Sequence, residues 1–506
     1  MSNRPPRWLV ALIVLISLPL LLPFLYVIER AADVGLARSI ELLWRPRMWE
    51  LLSNTLLLMV FVTLFAIILG TLCAFLLERY RFCGKGFFQV AMTLPLCIPA
   101  FVSCFTWISL TFRVEGLWGT IGIMTLSSFP LAYLPVAATL KRLDRSLEEV
   151  SLSLAKSQAY TFWHAIFPQL KPAIGSSVLL IALHMLVEFG AVSILNYQTF
   201  TTAIFQEYEM AFNNNTAALL SGVLMVICIL VVMGEIRFRG TQTLYQSGKG
   251  VIRPYPLKTL SVGKQILVVS FFTTIFVLSI GVPITMLIYW LKVGNSIESA
   301  VDFGEFFTAF TNSLTISTLG AALTVICALP LVWAAVRYRS KLTIWLDRIP
   351  YLLHAVPGLV IALSLVFFTI NYAYSLYQTF AMVVVAYFML YLPMAQTTLR
   401  GSLEQMSDNI EKVGQSLGRS NFYIFRTLVI PAMLPGIAAA FALVFLNLMK
   451  ELTATLLLTP NDIKTLSTAV WEYTSDAQYA AATPYAIMLV LFSGIPVFLL
   501  KRYGFK

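Results

Sequence analysis

Two carboxylates stand where the sequence least tolerates them. Glu188 falls in the apolar stretch 172–196 and Glu451 in the stretch 435–459, at equivalent positions 263 residues apart. An unpaired carboxylate inside a bilayer costs several kcal/mol, so each must be hydrogen-bonded within the protein or help to move something through it. Carboxylate oxygens are the ligands that a hard cation favours over sulfur. One reading is therefore a pair of pathway carboxylates making transient contact with such an ion. The other is structural, with Glu451 bonded to Lys450 or Thr453. His184 lies four residues before Glu188 and shares its helix face; such a pair can ligate metal, although a lone histidine on an apolar helix more often packs. The chain has no G-x-x-x-x-G-K-[ST] phosphate loop, the device with which many proteins hold ATP. No nucleophile with a base and no metal cluster is in register, so no covalent catalysis and no cofactor bound by this chain is expected. The six cysteines form no CxxC pair and read as packing residues.

The elements that must hold these carboxylates are membrane spans. Hydrophobic residues make up 59% of the chain and charged residues 12%, with mean hydropathy +0.82, against roughly 45–50% and about 25% in soluble domains. Stretches of about 20 apolar residues, the length of a spanning helix, occur twelve times: 8–28, 51–77, 87–111, 117–140, 172–196, 216–236, 266–291, 309–336, 349–370, 375–399, 435–459 and 481–500. The first is too long for a signal-peptide core of about 7–15 residues and reads as a retained helix. The fourth carries Gly119, Gly122, Pro130 and Pro135, tolerated where neighbouring helices re-satisfy the backbone. The net charge of +11 points to the lipid bilayer and not to nucleic acid, because the basic residues cluster beside apolar runs. With both termini cytoplasmic, 27 of the 35 Lys and Arg residues fall inside, as the positive-inside rule requires.

The sequence is duplicated. Residues 54–81 align with 312–339 at a spacing of 258, which also carries Pro99 onto Pro357 and Tyr133-Leu134-Pro135 onto Tyr391-Leu392-Pro393. Six spans per half is an even number, so the halves enter the membrane in the same direction. The expected architecture is an all-α polytopic membrane protein of about twelve transmembrane helices in two parallel-related six-helix halves, 1–236 and 265–506, joined by a cytosolic linker, 237–264.

The strongest repeat lies between spans 4 and 5 and between spans 10 and 11. Residues 148–174 read EEVSLSLAKSQAYTFWHAIFPQLKPAI and residues 411–437 read EKVGQSLGRSNFYIFRTLVIPAMLPGI, aligned without a gap at a spacing of 263. Each begins as a short helix, over 147–154 or 410–417, then meets a small residue, Ala155 or Gly418, where the chain can turn. A second short helix follows, with Ser157 or Ser420 at its N-cap and Pro168 or Pro431 just past its end. Phe162, Trp163 and Ile166 in one copy, and Phe422, Phe425 and Leu428 in the other, are expected to face water as docking groups. Membrane-lying amphipathic helices are the alternative.

These segments resemble the EAA loop of binding-protein-dependent ABC importer permeases, in which E-A-A, three residues, Gly and a later I-x-L-P form the helix that sits in a groove of the ATPase subunit. Glu148, Glu149 and Glu411 match the acidic positions, and Gly418 the glycine; Ala155 and Lys412 depart from the pattern. The fused layout, Val187-Glu188-Phe189-Gly190-Ala191 and the run from Lys450 to Leu458 are similar to FbpB-type ferric-iron permeases. Fused thiamine permeases share the layout. The resemblance implies a type I ABC importer permease in a bacterial inner membrane, served by two copies of a cytosolic ATPase, which carry the ATP and Mg, and by a periplasmic binding protein. It implies ferric iron as cargo, with thiamine or another small solute as the alternative. An ion-coupled secondary transporter is the rival of a different class, and it would not need paired cytosolic loops.

Overall fold

A computed structural model describes residues 5–143, 145–155, 157–239, 257–293, 302–338, 340–353, 356–407 and 409–504. Most of the linker, 240–256, lies outside the described residues. The molecule is helical throughout, and among the described residues the strands are Tyr80–Arg81 and Lys258–Thr259, paired in parallel. Among the described residues eight helices are long and apolar enough to cross a membrane: Arg7–Val34, Pro46–Arg79, Leu117–Arg142, Phe162–Val187, Asn214–Gly234, Val262–Val293, Phe303–Arg337 and Phe380–Gln405. Three bent pairs raise the number to as many as eleven, and Tyr479–Gly494 is a shorter apolar helix. Each stretch expected from the sequence has one of these counterparts.

Several expected spans are not straight rods. Lys85–Cys97 meets Ala100–Leu110 at 93°, and Lys341–Leu353 meets Gly358–Tyr372 at 106°. Both outer segments start after the duplicated proline, Pro99 (φ −54°, ψ 142°) or Pro357 (φ −58°, ψ 142°). Proline lacks the N–H that would continue a helix, and its ring pushes the preceding residue out of the helical region; Ile98 is accordingly extended. The fifth stretch, expected as one span over 172–196, instead starts at Phe162 and ends at Val187, with a separate helix Gly190–Ile194. The eleventh, expected over 435–459, divides into Leu434–Leu448 and Thr453–Leu458.

The duplication extends to individual hydrogen bonds. Asn54 Nδ2 donates to the Gln198 carbonyl at 3.1 Å, and Asn312 Nδ2 to the Lys464 carbonyl at 3.0 Å. The Phe200 N–H donates to Thr55 Oγ1 at 3.1 Å, and the Leu466 N–H to Ser313 Oγ at 2.8 Å. Thr199 and Thr465 each close a capping box with the threonine three residues on. The two halves therefore share a backbone plan, with small insertions between equivalent bonds.

Contiguity in sequence does not separate the halves in space. Leu9, Ile13, Ile16 and Leu20 of the first span lie in one core with Ile316, Trp333, Val360 and Leu392 of the second half. In return, Phe272 of the seventh span stacks on Phe82 at 5.6 Å and on Phe88 at 5.3 Å, and Val268, Ile275 and Leu287 join the core of the first half. Each half thus lends its first span to the other. Lipid tails are as apolar as these side chains, so close packing and not water exclusion holds such contacts.

Candidate coupling loops and buried carboxylates

The first helix of each repeat forms close to where periodicity placed it, over Arg145–Ser153 and Asn409–Ser416. Its leading acid faces inward. Glu148 is 8% exposed and Glu411 7%. Glu148 Oε2 lies 3.1 Å from Arg79 Nη1, and Glu411 Oε1 lies 2.6 Å from Arg337 Nε. Arg79 and Arg337 occupy the same place at the C-terminal ends of Pro46–Arg79 and Phe303–Arg337, 258 residues apart. Trp333 Nε1 also donates to Glu411 Oε2 at 3.1 Å, and Arg337 Nη2 to the Met406 carbonyl at 3.1 Å. Charge-assisted bonds of this length are strong when water is excluded, so both repeats are anchored to the end of a membrane helix. These arginines were legible in the sequence as a repeated Arg ahead of Tyr-Arg, yet only the fold pairs them with the glutamates. Glu149, one position on, is exposed.

The small residue is required by conformation. Ala155 has φ 55° and Gly418 φ 72°, the left-handed region that glycine enters freely and alanine enters at a cost of roughly 1–2 kcal/mol. A Cβ added at Gly418 would meet nothing within 4 Å, so backbone conformation and not crowding selects glycine there. The expected caps form: the Tyr160 N–H donates to Ser157 Oγ at 3.2 Å and the Tyr423 N–H to Ser420 Oγ at 3.2 Å. The expected stop at proline does not. Residues Phe162–Ile166 and Phe425–Val429 form one π turn each. The wider turn lets the chain pass Pro168 and Pro431, which have no N–H to give. In the first half the loop helix continues directly into the span that ends at Val187; in the second, Asn421–Ala432 meets Leu434–Leu448 at 71°.

The structure divides the expected docking groups. Trp163 is 59% exposed and Phe422 55%, and Val150, Leu154, Val413 and Leu417 are also exposed. Ile166, by contrast, is buried. Phe162 and Phe425 are half-buried and serve as anchors, Phe162 against Phe75 at 5.2 Å and Phe425 against Trp333 at 4.6 Å. Leu428 is half-buried, and Pro168 and Pro431 are exposed. Trp8 packs edge-on against Phe422 at 5.6 Å and stacks on Trp333 at 6.2 Å, a contact that spacing could not reveal.

Glu188 and Glu451 sit at helix breaks, not inside continuous spans as the sequence suggests. The Ala191 N–H donates to Glu188 Oε1 at 3.0 Å; Glu188 Oε2 lies 3.7 Å from His184 Nε2. Glu451 Oε1 accepts from the Ala454 N–H at 3.0 Å, and its Oε2 from the Thr455 N–H at 3.1 Å and the Thr455 hydroxyl at 2.8 Å. Each carboxylate thereby satisfies the free N–H groups that open the next short helix. Hydroxyls hold the breaks from the other side, Thr201 on the Glu188 carbonyl and Ser467 on the Glu451 carbonyl, both at 2.7 Å. Of the two structural partners the sequence suggested, Thr453 does contribute, through its backbone N–H, beside Ala454 and Thr455. The breaks meet between the halves: a Cβ on Gly190 would lie 2.7 Å from Leu452 Cδ2. Beside this meeting point a cavity of about 350 Å3 is lined by residues of both halves, Phe189, Glu115, Asn196, Gln206 and Trp471 among them.

The model of a family described as binding-protein-dependent transport system inner membrane component matches residues 66–236 and 328–503. Over 506 residues, all of both chains, the sequence is 81% identical to the Fe(3+)-transport system permease protein FbpB 2 of Haemophilus influenzae. It is 23% identical over 482 residues to the ferric transport system permease protein FbpB of Actinobacillus pleuropneumoniae, covering 87% of this chain and 69% of that one. A shorter likeness, 30% over 193 residues, covers 35% of this chain and 69% of the sulfate transport system permease protein CysT of Escherichia coli.

Proposed function

The chain belongs to the family of binding-protein-dependent transport system inner membrane components, and from that premise we infer that it is the membrane permease of an ATP-driven importer of ferric iron. The observation that carries the cargo is the likeness, along the whole chain, to a protein named for Fe(3+) transport. Neither a fused thiamine permease nor an ion-coupled secondary transporter is favoured by it. The chain is a transport subunit and not an enzyme. Energy comes from two cytosolic ATPase subunits, which bind ATP and Mg, and a periplasmic binding protein delivers the ion. Both termini are cytoplasmic, and the permease halves 1–236 and 265–506 are joined on that side by 237–264.

The mechanism is alternating access. Trp163, Phe422 and the exposed aliphatic residues beside them seat in the ATPases. Closure of the ATPases on ATP pulls the two knobs together. The Arg79–Glu148 and Arg337–Glu411 pairs pass that displacement to the long helices Pro46–Arg79 and Phe303–Arg337, and the halves rock to open the outer side. Ala155 and Gly418 set the angle of each knob, Ser157 and Ser420 start its second helix, and Phe162 and Phe425 fix it to the bundle. Glu149 stands at the rim of the first knob.

Glu188 and Glu451 are proposed as transient carboxylate contacts for Fe3+ where the two broken helices meet. Glu188 is the better placed, because its second oxygen faces His184 at a distance too long for a good hydrogen bond. Uptake of radiolabelled iron and thiamine, in cells expressing the chain with and without its ATPase, tests the whole reading. Iron accumulation that requires the ATPase is expected; thiamine uptake, or iron uptake without the ATPase, refutes it. The Glu188→Gln/Glu451→Gln variant should assemble and lose most iron uptake, and normal uptake would remove the carboxylates from the pathway.

A further inference from the structure

On the cytosolic face of the first half, a recess of about 590 Å3 is lined by Arg81, Phe82, Lys85, Gln89, Leu257 and Thr259, together with Gly84 and Gly86. It is built where the chain returns from the linker: Lys258–Thr259 pairs in parallel with Tyr80–Arg81, Tyr80 opposite Lys258 and Arg81 opposite Thr259. This places two cations, Arg81 and Lys85, at one opening. Phe82, in its wall, stacks on Phe272 at 5.6 Å, and Phe272 in turn on Phe88 at 5.3 Å. Beside it Phe87, Leu257, Val262, Ile266 and Leu267 are exposed, forming an apolar skirt that continues onto the seventh span.

The duplication supplies an internal comparison. At a spacing of 258, Gly84, Lys85 and Gly86 become Leu342, Thr343 and Ile344, and Gln89 becomes Asp347. Asp347 is held by Arg400 through two contacts of 2.6 Å. At these positions the second half has bulkier side chains and a neutralised carboxylate where the first has bare backbone and Lys85, while Arg339 stands at the place of Arg81 and Lys341 at that of Cys83. Nothing in transmission of motion from the loops, which both halves share, calls for that difference.

We propose that this recess binds the phosphate headgroup of an anionic phospholipid from the cytosolic leaflet, with its acyl chains lying on Phe87, Val262 and Ile266. Basic recesses at this depth, rimmed on one side by lipid-facing apolar groups, suit such headgroups, because each cation near the surface adds to the attraction for anionic lipid. Lys85 is half-buried at the edge of the recess. The lipid would also cover the joint between linker and first half, and so bear on how the halves move together.

The test uses the purified full-length permease in detergent, titrated with phosphatidylglycerol or phosphatidylcholine while its thermal unfolding is followed. Glycerol 3-phosphate and inorganic phosphate serve as probes without acyl chains. Phosphatidylglycerol should stabilise the protein at concentrations where phosphatidylcholine and the soluble phosphates do not. The concentration required should rise roughly tenfold or more in Arg81→Gln/Lys85→Gln, and likewise in Gly86→Leu, which fills the recess and keeps its charges. Arg47→Gln, on the outer side, should behave as wild type. Unchanged phosphatidylglycerol dependence in both recess variants overturns the proposal. So does saturation by inorganic phosphate alone, which would make the occupant a free oxyanion. A loss of ATPase co-purification with unaltered lipid response would assign the recess to the ATPase instead.

Discussion

At the scale of single residues, the loops depend on two buried ion pairs and one backbone angle. Removing one member of a buried pair strands the other, at a cost of about 3–5 kcal/mol. Arg337→Met and Glu411→Gln should each lower the unfolding temperature and lower substrate-stimulated ATP hydrolysis. The double variant should lose less than the sum of the singles, since neither charge is then left alone. Strict additivity in the unfolding data would mean that the 2.6 Å contact carries no coupling. The backbone angle predicts opposite effects in the two copies. Ala155→Gly removes a side chain from the left-handed region and should strengthen the first knob by about 0.5–1 kcal/mol, whereas Gly418→Ala should weaken the second by about 1 kcal/mol. Hydrogen exchange over 145–167 and 409–432 reads the two changes separately. A bulkier group at Gly418 should leave membrane insertion intact and reduce substrate-stimulated ATP hydrolysis. Glu451→Gln should loosen the helix Thr453–Leu458 by roughly 1–2 kcal/mol, the usual range for a lost cap, and faster exchange at Ala454 and Thr455 is the signature.

At the scale of elements, much was legible because a bilayer sets a strict length rule and the chain obeys it twice. The twelve apolar stretches and the alignment of 148–174 with 411–437 needed only counting. The breaks were harder to read. Hydropathy continues across Glu188 and Glu451, so the sequence suggests acids within spans, whereas the acids close one helix and open the next. Pro99 and Pro357 were visible as repeated residues, but an angle of 93° or 106° depends on what packs around them. The same limit applies to Phe162 and Phe425: periodicity places them on the loop, and only Phe75 and Trp333 turn them inward. Trp8 was illegible as a functional residue because nothing local distinguishes it from the rest of an apolar helix. Its contact with Phe422 predicts a one-sided effect. Trp8→Ala should raise hydrogen exchange over 421–432 and leave 158–167 unchanged, and an equal rise in both loops would mean a general loosening of the bundle.

At the scale of the whole molecule, the interlocked first spans decide what can be cut. Two halves that each lend a helix to the other do not depend on their linker for cohesion. Residues 1–239 and 257–506 expressed as separate chains should therefore assemble and import iron within about twofold of the intact protein. The shared cores supply the contact, and the linker supplies only proximity, which raises effective concentration. Deletion of residues 1–34 should be far more damaging, although it spares both segments that match the family model. It strips Leu9, Ile13, Ile16 and Leu20 from the second half's core and uncovers the second knob at Phe422. Supplying residues 1–34 as a separate peptide should restore part of the assembly. If the deleted chain still held its ATPase and imported iron normally, the first span would be a passive anchor, and the exchange of helices would have no part in joining the halves.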